Sequence, residues 1–196
     1  WFTYRFNNCG KTGSQGPTQV QVDAAYSATN LNGMVTINTQ GIQEWVVPLT
    51  GTYSITASGA QGGMANGPTT AGGLGAEMVG EFNFTAGQTI LIVVGQEGGS
   101  VDYGGGGGGG SFAVGPGGTP LIIAGGGGGG NGNHPSFPSR GAFMGGPGLT
   151  TTAAGSSNTV GTDGEPAPGI GGGAPSTGGT DGYGGGGGFS GNGGGG

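Results

Sequence analysis

Fixed positive charge is nearly absent. Arg5, Lys11 and Arg140 are the only lysines and arginines in 196 residues, against nine Asp and Glu, for a net charge of −6. Three scattered cations cannot supply the several contacts that phosphate recognition needs, so nucleic acid is excluded as a partner and an anionic membrane surface with it. Long apolar runs are lacking too. Stretches such as residues 90–94 and 121–124 fall far short of the roughly 20 residues that cross a bilayer, which excludes insertion of these segments as helices. The large apolar types number only 44, of which 36 fall in residues 1–124 and 8 in residues 125–196, so a conventional side-chain core through the whole chain is excluded. The chain opens on Trp1 without an initiator Met or a charged-then-apolar leader, and reads as a processed product for which export is expected.

What fills the space is glycine, 59 residues of it, 28 before position 125 and 31 after. Glycine-rich composition alone describes a flexible linker, and that reading competes with an ordered one throughout. The first half, however, carries strand signals. Residues 43–57 read as a hairpin with one wet face, turning at Pro48-Leu49-Thr50-Gly51. Met78, Gly80, Phe82 and Phe84 alternate with Glu77, Val79, Glu81 and Asn83, and Ala86-Gly87-Gln88 turns the chain into residues 89–94, which are apolar on both faces and so expected at a sheet centre. Residues 111–114 and 120–124 flank Gly-Pro-Gly-Gly as a second hairpin. Aromatic density makes residues 1–6 a strand, and residues 17–27, with Thr18 as cap, are the one helical candidate. About seven strands with short turns and no intervening helices predict an all-β antiparallel sandwich.

Seven glycines at 104–110, six at 125–130, five at 184–188 and four at 193–196 have no side chains with which to pack. The first two runs abut strand segments, which pins their ends. Pinned oligoglycine has an ordered option in the polyproline II helix, with three residues per turn, about 3.1 Å per residue and every backbone group directed sideways to a neighbour. The expected division is therefore a sandwich over 1–124 with an inserted glycine run at 104–110, and a glycine-rich extension over 125–196 packing on or beside it.

The spacing of Cys9-Gly10, Gly16-Pro17-Thr18-Gln19, Ala25-Tyr26, Gly41-Ile42-Gln43, Trp45, Val47-Pro48, Thr52-Tyr53-Ser54-Ile55 and Gly59-Ala60-Gln61-Gly62-Gly63 adds a second line of inference. Together with Gly80, Phe82-Asn83, Leu91-Ile92-Val93-Val94-Gly95-Gln96, Pro120-Leu121-Ile122-Ile123-Ala124 and the first two glycine runs, it resembles the glycine-rich extracellular module of the anaplastic lymphoma kinase and leukocyte tyrosine kinase receptors and of bacterial surface-protein relatives. The resemblance implies a tumour-necrosis-factor-like, jelly-roll sandwich with packed glycine helices, an extracellular non-enzymatic role and, in the animal receptors, a cytokine ligand. In those receptors the cysteine matching Cys9 has its partner where this chain has Val22, so Cys9 is expected as a free thiol. The acidic segment that supplies their ligand contacts has no counterpart here, and no ligand-binding residue carries over. The relatives return after the glycine region to add a closing strand, which this chain is expected to lack.

Residues with chemistry are few. His134 lies in Asn-Gly-Asn-His-Pro with no acid or thiol at ligand spacing, and reads as loop surface rather than a metal ligand. Cys9 would need a histidine or a cationic site to activate it, only Arg5 and Lys11 are near in sequence, and it reads as a buried or inert thiol. Glu77 and Glu81 share a strand face but stand about 13 Å apart along it, too far for a catalytic pair. No P-loop lysine follows any glycine run. No catalytic residue, cofactor or metal is expected. Asn83-Phe84-Thr85 is the one glycosylation sequon, and Ser/Thr and Pro at 150–180 would suit O-linked sugars. The expected role is a self-associating subunit of a surface fibre, with Trp1, Phe2, Tyr4 and Phe6 as the segment exchanged between copies. The alternative is a monomeric adhesin or receptor-like module showing loops such as 131–144 to a glycan or protein partner.

Overall fold

A computed structural model describes residues 2–65, 70–100, 104–130 and 132. Trp1, His134, the loop at 131–144 save Gly132, the Ser/Thr-rich stretch at 150–180 and the glycine runs at 184–188 and 193–196 lie outside the described residues.

Among the described residues, seven strands and one α-helix follow the order α1 (Gln19–Tyr26), β1 (Val35–Thr36), β2 (Gln43–Val46), β3 (Gly51–Ser58), β4 (Glu77–Phe84), β5 (Thr89–Val93), β6 (Ser111–Val114) and β7 (Pro120–Ala124). They form two antiparallel sheets, one of five strands in the order β1-β2-β5-β6-β7 and one of β3 and β4 alone. The fold is all-β with a minor helix. The doubly apolar β5 occupies the middle of the larger sheet, paired to β2 on one side and β6 on the other, as its composition predicts. The hairpin of β6 and β7 is present, with a bulge between Ala113 and Val114.

Residues 43–57 do not form the expected hairpin. β2 pairs with β1 and β5, whereas β3 pairs with β4 along its full length, from Gly51 opposite Phe84 to Ser58 opposite Glu77. The chain crosses between sheets at residues 47–50, and crosses back at 85–88. Val47 is 1% exposed and exchanges two backbone bonds with the return crossing, its N–H donating to Gln88 O and its O accepting from Gly87 N, both at 2.8 Å. These bonds join the two crossings into one corner, and turn residues of this type serve a corner as well as a hairpin.

The core lies between the sheets. Trp45 of β2 is its hub, with the rings of Tyr4 at 5.0 Å, Phe6 at 6.0 Å and, across the sandwich, Tyr53 of β3 at 5.9 Å, and Tyr53 passes the contact on to Phe84 on the neighbouring strand β4. Val22 and Tyr26 of α1 and Leu31 close one end at 1% exposure each. The helix starts at Thr18, extended at φ −88° and ψ 168°, where Gln21 Oε1 reaches back to accept from the Thr18 N–H at 3.0 Å.

Residues 2–6 form no strand, which corrects that expectation. Their aromatic density marks burial rather than pairing, for Tyr4 and Phe6 pack on the core by their rings. The backbone here is held by side chains: Asn30 Nδ2 donates to Thr3 O at 2.8 Å, Asn7 N donates to the Tyr26 hydroxyl at 2.9 Å, and Gln43 Nε2 donates to Asn7 O at 2.8 Å. Tyr26 in turn donates to Gln43 Oε1 at 2.7 Å, so the fully buried amide of Gln43 is satisfied at both ends.

Candidate functional site

Five segments leave the strand ends and run side by side: residues 59–65, 70–76, 95–100, 104–110 and 125–130. Among the described residues they are joined by fourteen backbone hydrogen bonds of 2.7–3.1 Å, and the partners advance in steps of three. Gly59 and Gly62 donate to Ala76 and Gly73; Ala60 and Gly63 donate to Gly109 and Gly106; Gly105 and Gly108 donate to Gly130 and Gly127. Gly106 and Gly109 donate to Gly99 and Gln96, and Gly127 and Gly130 close the circuit on Ala60 and Gly63. The registers give directions. Segments 59–65, 95–100 and 125–130 run one way and segments 70–76 and 104–110 run the other.

The same period governs where glycine is compulsory. A Cβ placed on Gly59, Gly62, Gly72, Gly75, Gly95, Gly98, Gly105, Gly108, Gly126 or Gly129 would lie closer than 3.0 Å to a backbone carbonyl of the neighbouring segment. Each of these pairs is three residues apart. Gly63, Gly127 and Gly130 are enclosed as tightly, whereas a residue that faces outward carries a side chain, as Met64 (54% exposed) and Leu74 (67% exposed) do. Segment 125–130 shares this array with four segments that lie before position 125.

Ser111 ties the array to the sandwich. It is 6% exposed, donates to Ser58 O at the end of β3 at 2.7 Å and accepts from Gly95 N at 3.0 Å. Gln96 Nε2 reaches Gln15 O at 2.9 Å and fastens the far side.

The residues singled out in the sequence are scattered. Phe2 is 80% exposed beside a groove of about 340 Å3 that it shares with Tyr4, Leu49 and the first half of β3. Cys9 sits at φ 51°, in a turn closed by Lys11 N donating to Asn8 O at 3.0 Å. Burial pushes its thiol above the ordinary range, against a smaller opposing contribution from its hydrogen bond to Tyr26, and no disulfide partner exists in the chain. Burial likewise pushes the Tyr26 phenol up. Asn83 is exposed near the end of β4, its Oδ1 accepting from Thr52 Oγ1 at 2.7 Å. Glu77 and Glu81 are exposed on the outer face of β4. Among the described residues no group of three or more His, Cys, Asp or Glu is placed to hold a metal, and no helix is long and apolar enough to cross a membrane. Trp45 carries a buried indole N–H with no acceptor among the described residues.

The three interrupted segments of the array escaped the sequence reading, which credited order only to the unbroken glycine runs. The signal was present as glycine at i and i+3 in 59/62, 72/75 and 95/98.

Two antiparallel sheets joined at their ends to a bed of backbone-bonded glycine segments define a β-sandwich protein with a glycine-rich array. Among known proteins the chain is similar to the leukocyte tyrosine kinase receptor of Mus musculus, 39% identical over 97 residues, which is 47% of this chain. The match takes in 11% of the receptor's length, so the chain corresponds to a small part of that protein. The likeness supports an extracellular, receptor-type module. No family model matches.

Proposed function

We propose that the chain is a non-enzymatic extracellular structural module that associates with itself to build a surface fibre or filament. The observation that carries this reading is the glycine array, a body of structure built from backbone bonds with almost no charge in it and no cluster of reactive side chains among the described residues. A three-residue hydrogen-bond period is the period of the polyproline II helix, and the array glycines that would clash on gaining a Cβ all lie outside the left-handed region, in keeping with that conformation. The order of the two sheets among the described residues supports reading the sandwich as a jelly-roll of the tumour-necrosis-factor type. The N-terminal segment is held by rings and side-chain bonds rather than by a ladder, so it can trade its seat for the same seat on a second copy.

The receptor likeness favours a second reading, a monomeric module that binds a protein or glycan ligand. Sedimentation across a hundredfold range of concentration, with electron microscopy of the same samples, separates the two: growth into polymers supports the first and a strict monomer overturns it. Phe2→Ser is the variant of choice for the exchange. Phe2 is exposed, whereas removing residues 1–6 would also strip Tyr4 and Phe6 from Trp45 and weaken the fold itself.

A further inference from the structure

We infer that the edge of β3 away from β4, unpaired among the described residues, is a docking site for a second copy of this chain, which lays its own β3 antiparallel against it and joins two two-stranded sheets into one of four strands. This rests on the self-association proposed above and names its surface.

Among the described residues the two sheets present four edges, and three of them are defended. β1 is two residues long. β7 begins on Pro120, which has no N–H to offer, and runs straight into glycines already bonded within the array. β4 displays Glu77 and Glu81 on its exposed face, so two copies of it would bring carboxylates together. β3 has none of these devices. It is eight residues long, Gly-Thr-Tyr-Ser-Ile-Thr-Ala-Ser, with no charge, no proline and unbroken register against β4. A long uncharged edge of this kind is a template for another strand. Apart from β4, the only described residue that engages its main chain is Ser111, at the Ser58 carbonyl.

The edge is also complementary to itself. Thr52, Ser54, Thr56 and Ser58 are exposed, so antiparallel pairing sets hydroxyls beside hydroxyls, a favourable cross-strand combination, and brings no like charges together in a protein of net charge −6. A two-fold axis places the second half of one β3 opposite the first half of the other. There the groove between residues 51–54 and the N-terminal segment lies open, with Phe2 80% and Leu49 60% exposed. An eight-residue strand pair alone buries less than the roughly 1,000 Å2 expected of a stable interface. These two apolar side chains, repeated at both ends of the pair, add what the backbone lacks. Such an interface is isologous and closes at a dimer, so a fibre requires a second contact, for which the exchanged N-terminal segment serves.

The test is sedimentation velocity over a hundredfold concentration range, with amide hydrogen exchange on the same samples, for the wild type, for Ser54→Lys/Thr56→Lys and for Leu74→Lys as an array-surface control. Exchange over 51–58 should slow as concentration rises while the double variant raises the dimer dissociation constant at least tenfold, keeps the wild-type circular dichroism and melting temperature, and the control matches wild type. Association that persists in the double variant, with exchange over 51–58 indifferent to concentration, overturns β3 docking and leaves self-association standing. A wild-type protein that stays monomeric throughout overturns both.

Discussion

Gly33 and Gly87 stand at φ 72° and 89°, with nothing within 4 Å of where a Cβ would project, whereas Gly59, Gly62, Gly105 and Gly108 avoid the left-handed region and have a carbonyl in that place. The first pair serves the turns of the sandwich and is chosen for its torsion. The second group serves the array and is chosen for its size. In the sandwich a side chain is the means of cohesion, as around Trp45, and glycine is punctuation. In the array any side chain at the inner positions keeps the segments apart, and cohesion comes from groups every residue carries. Lateral bonds each contribute only about 0.5–1.5 kcal/mol net, so the array holds because many form together against the entropy that glycine loses.

The contrast can be broken by single substitutions. Gly62→Ala should have the largest effect, a loss at the top of the roughly 1–3 kcal/mol range for overpacking, because its Cβ would meet the backbone of Gly128 and backbone cannot step aside. Urea unfolding measures it, and a loss below about 1 kcal/mol would remove the steric account of the array. Tyr26→Phe comes next, at about 1–2 kcal/mol, since it leaves the Asn7 N–H and the Gln43 amide short of a partner. Amide exchange should quicken over residues 2–7 in that variant.

Gly87→Ala should cost about 1 kcal/mol through its torsion alone. Gly99→Ala is the sharpest contrast. It lies in an array segment, yet has open space and no left-handed torsion, so melting should shift by no more than about 0.5 kcal/mol, or rise slightly. The smallest effect is with pH. Cys9 and Tyr26 have their acidities weakened in the folded state, so the unfolded chain ionises first; stability from this source is whole below the ordinary thiol value of 9.0 and declines above it. Alkylation of Cys9 at neutral pH should correspondingly be slower in the folded protein than in the urea-unfolded chain.

Much of the sandwich was legible because alternation and turn chemistry act locally. β3 to β7 and α1 all sit where their patterns place them, and the two-faced apolarity of residues 89–93 foretold a central strand. Alternation says that a segment is a strand and nothing of which strand it meets, which is why residues 43–57 read as a hairpin although β2 and β3 belong to different sheets. β1 has only two residues and offers no pattern. Gly16 and Gly41, conspicuous in sequence, find their reason only in space, where Pro17 O accepts from Gly41 N at 3.0 Å and the two glycines touch back to back. The array was half legible. Its unbroken runs announced themselves, but the period of three is diluted by Ala60, Gln61, Met64, Ala71 and Leu74, and composition counts glycines without asking which turn they occupy.

The opposed directions of the five segments carry a mechanical consequence. A pull along the axis of segment 104–110 would slide it past 59–65, 95–100 and 125–130 together, loading its lateral bonds on three sides in shear instead of parting them one by one. Load would therefore be shared across the width of the bed. A material assembled from such units would resist stretch through main-chain contacts that no change of solvent acidity or oxidation can reach, since none of the groups involved titrates or carries sulfur.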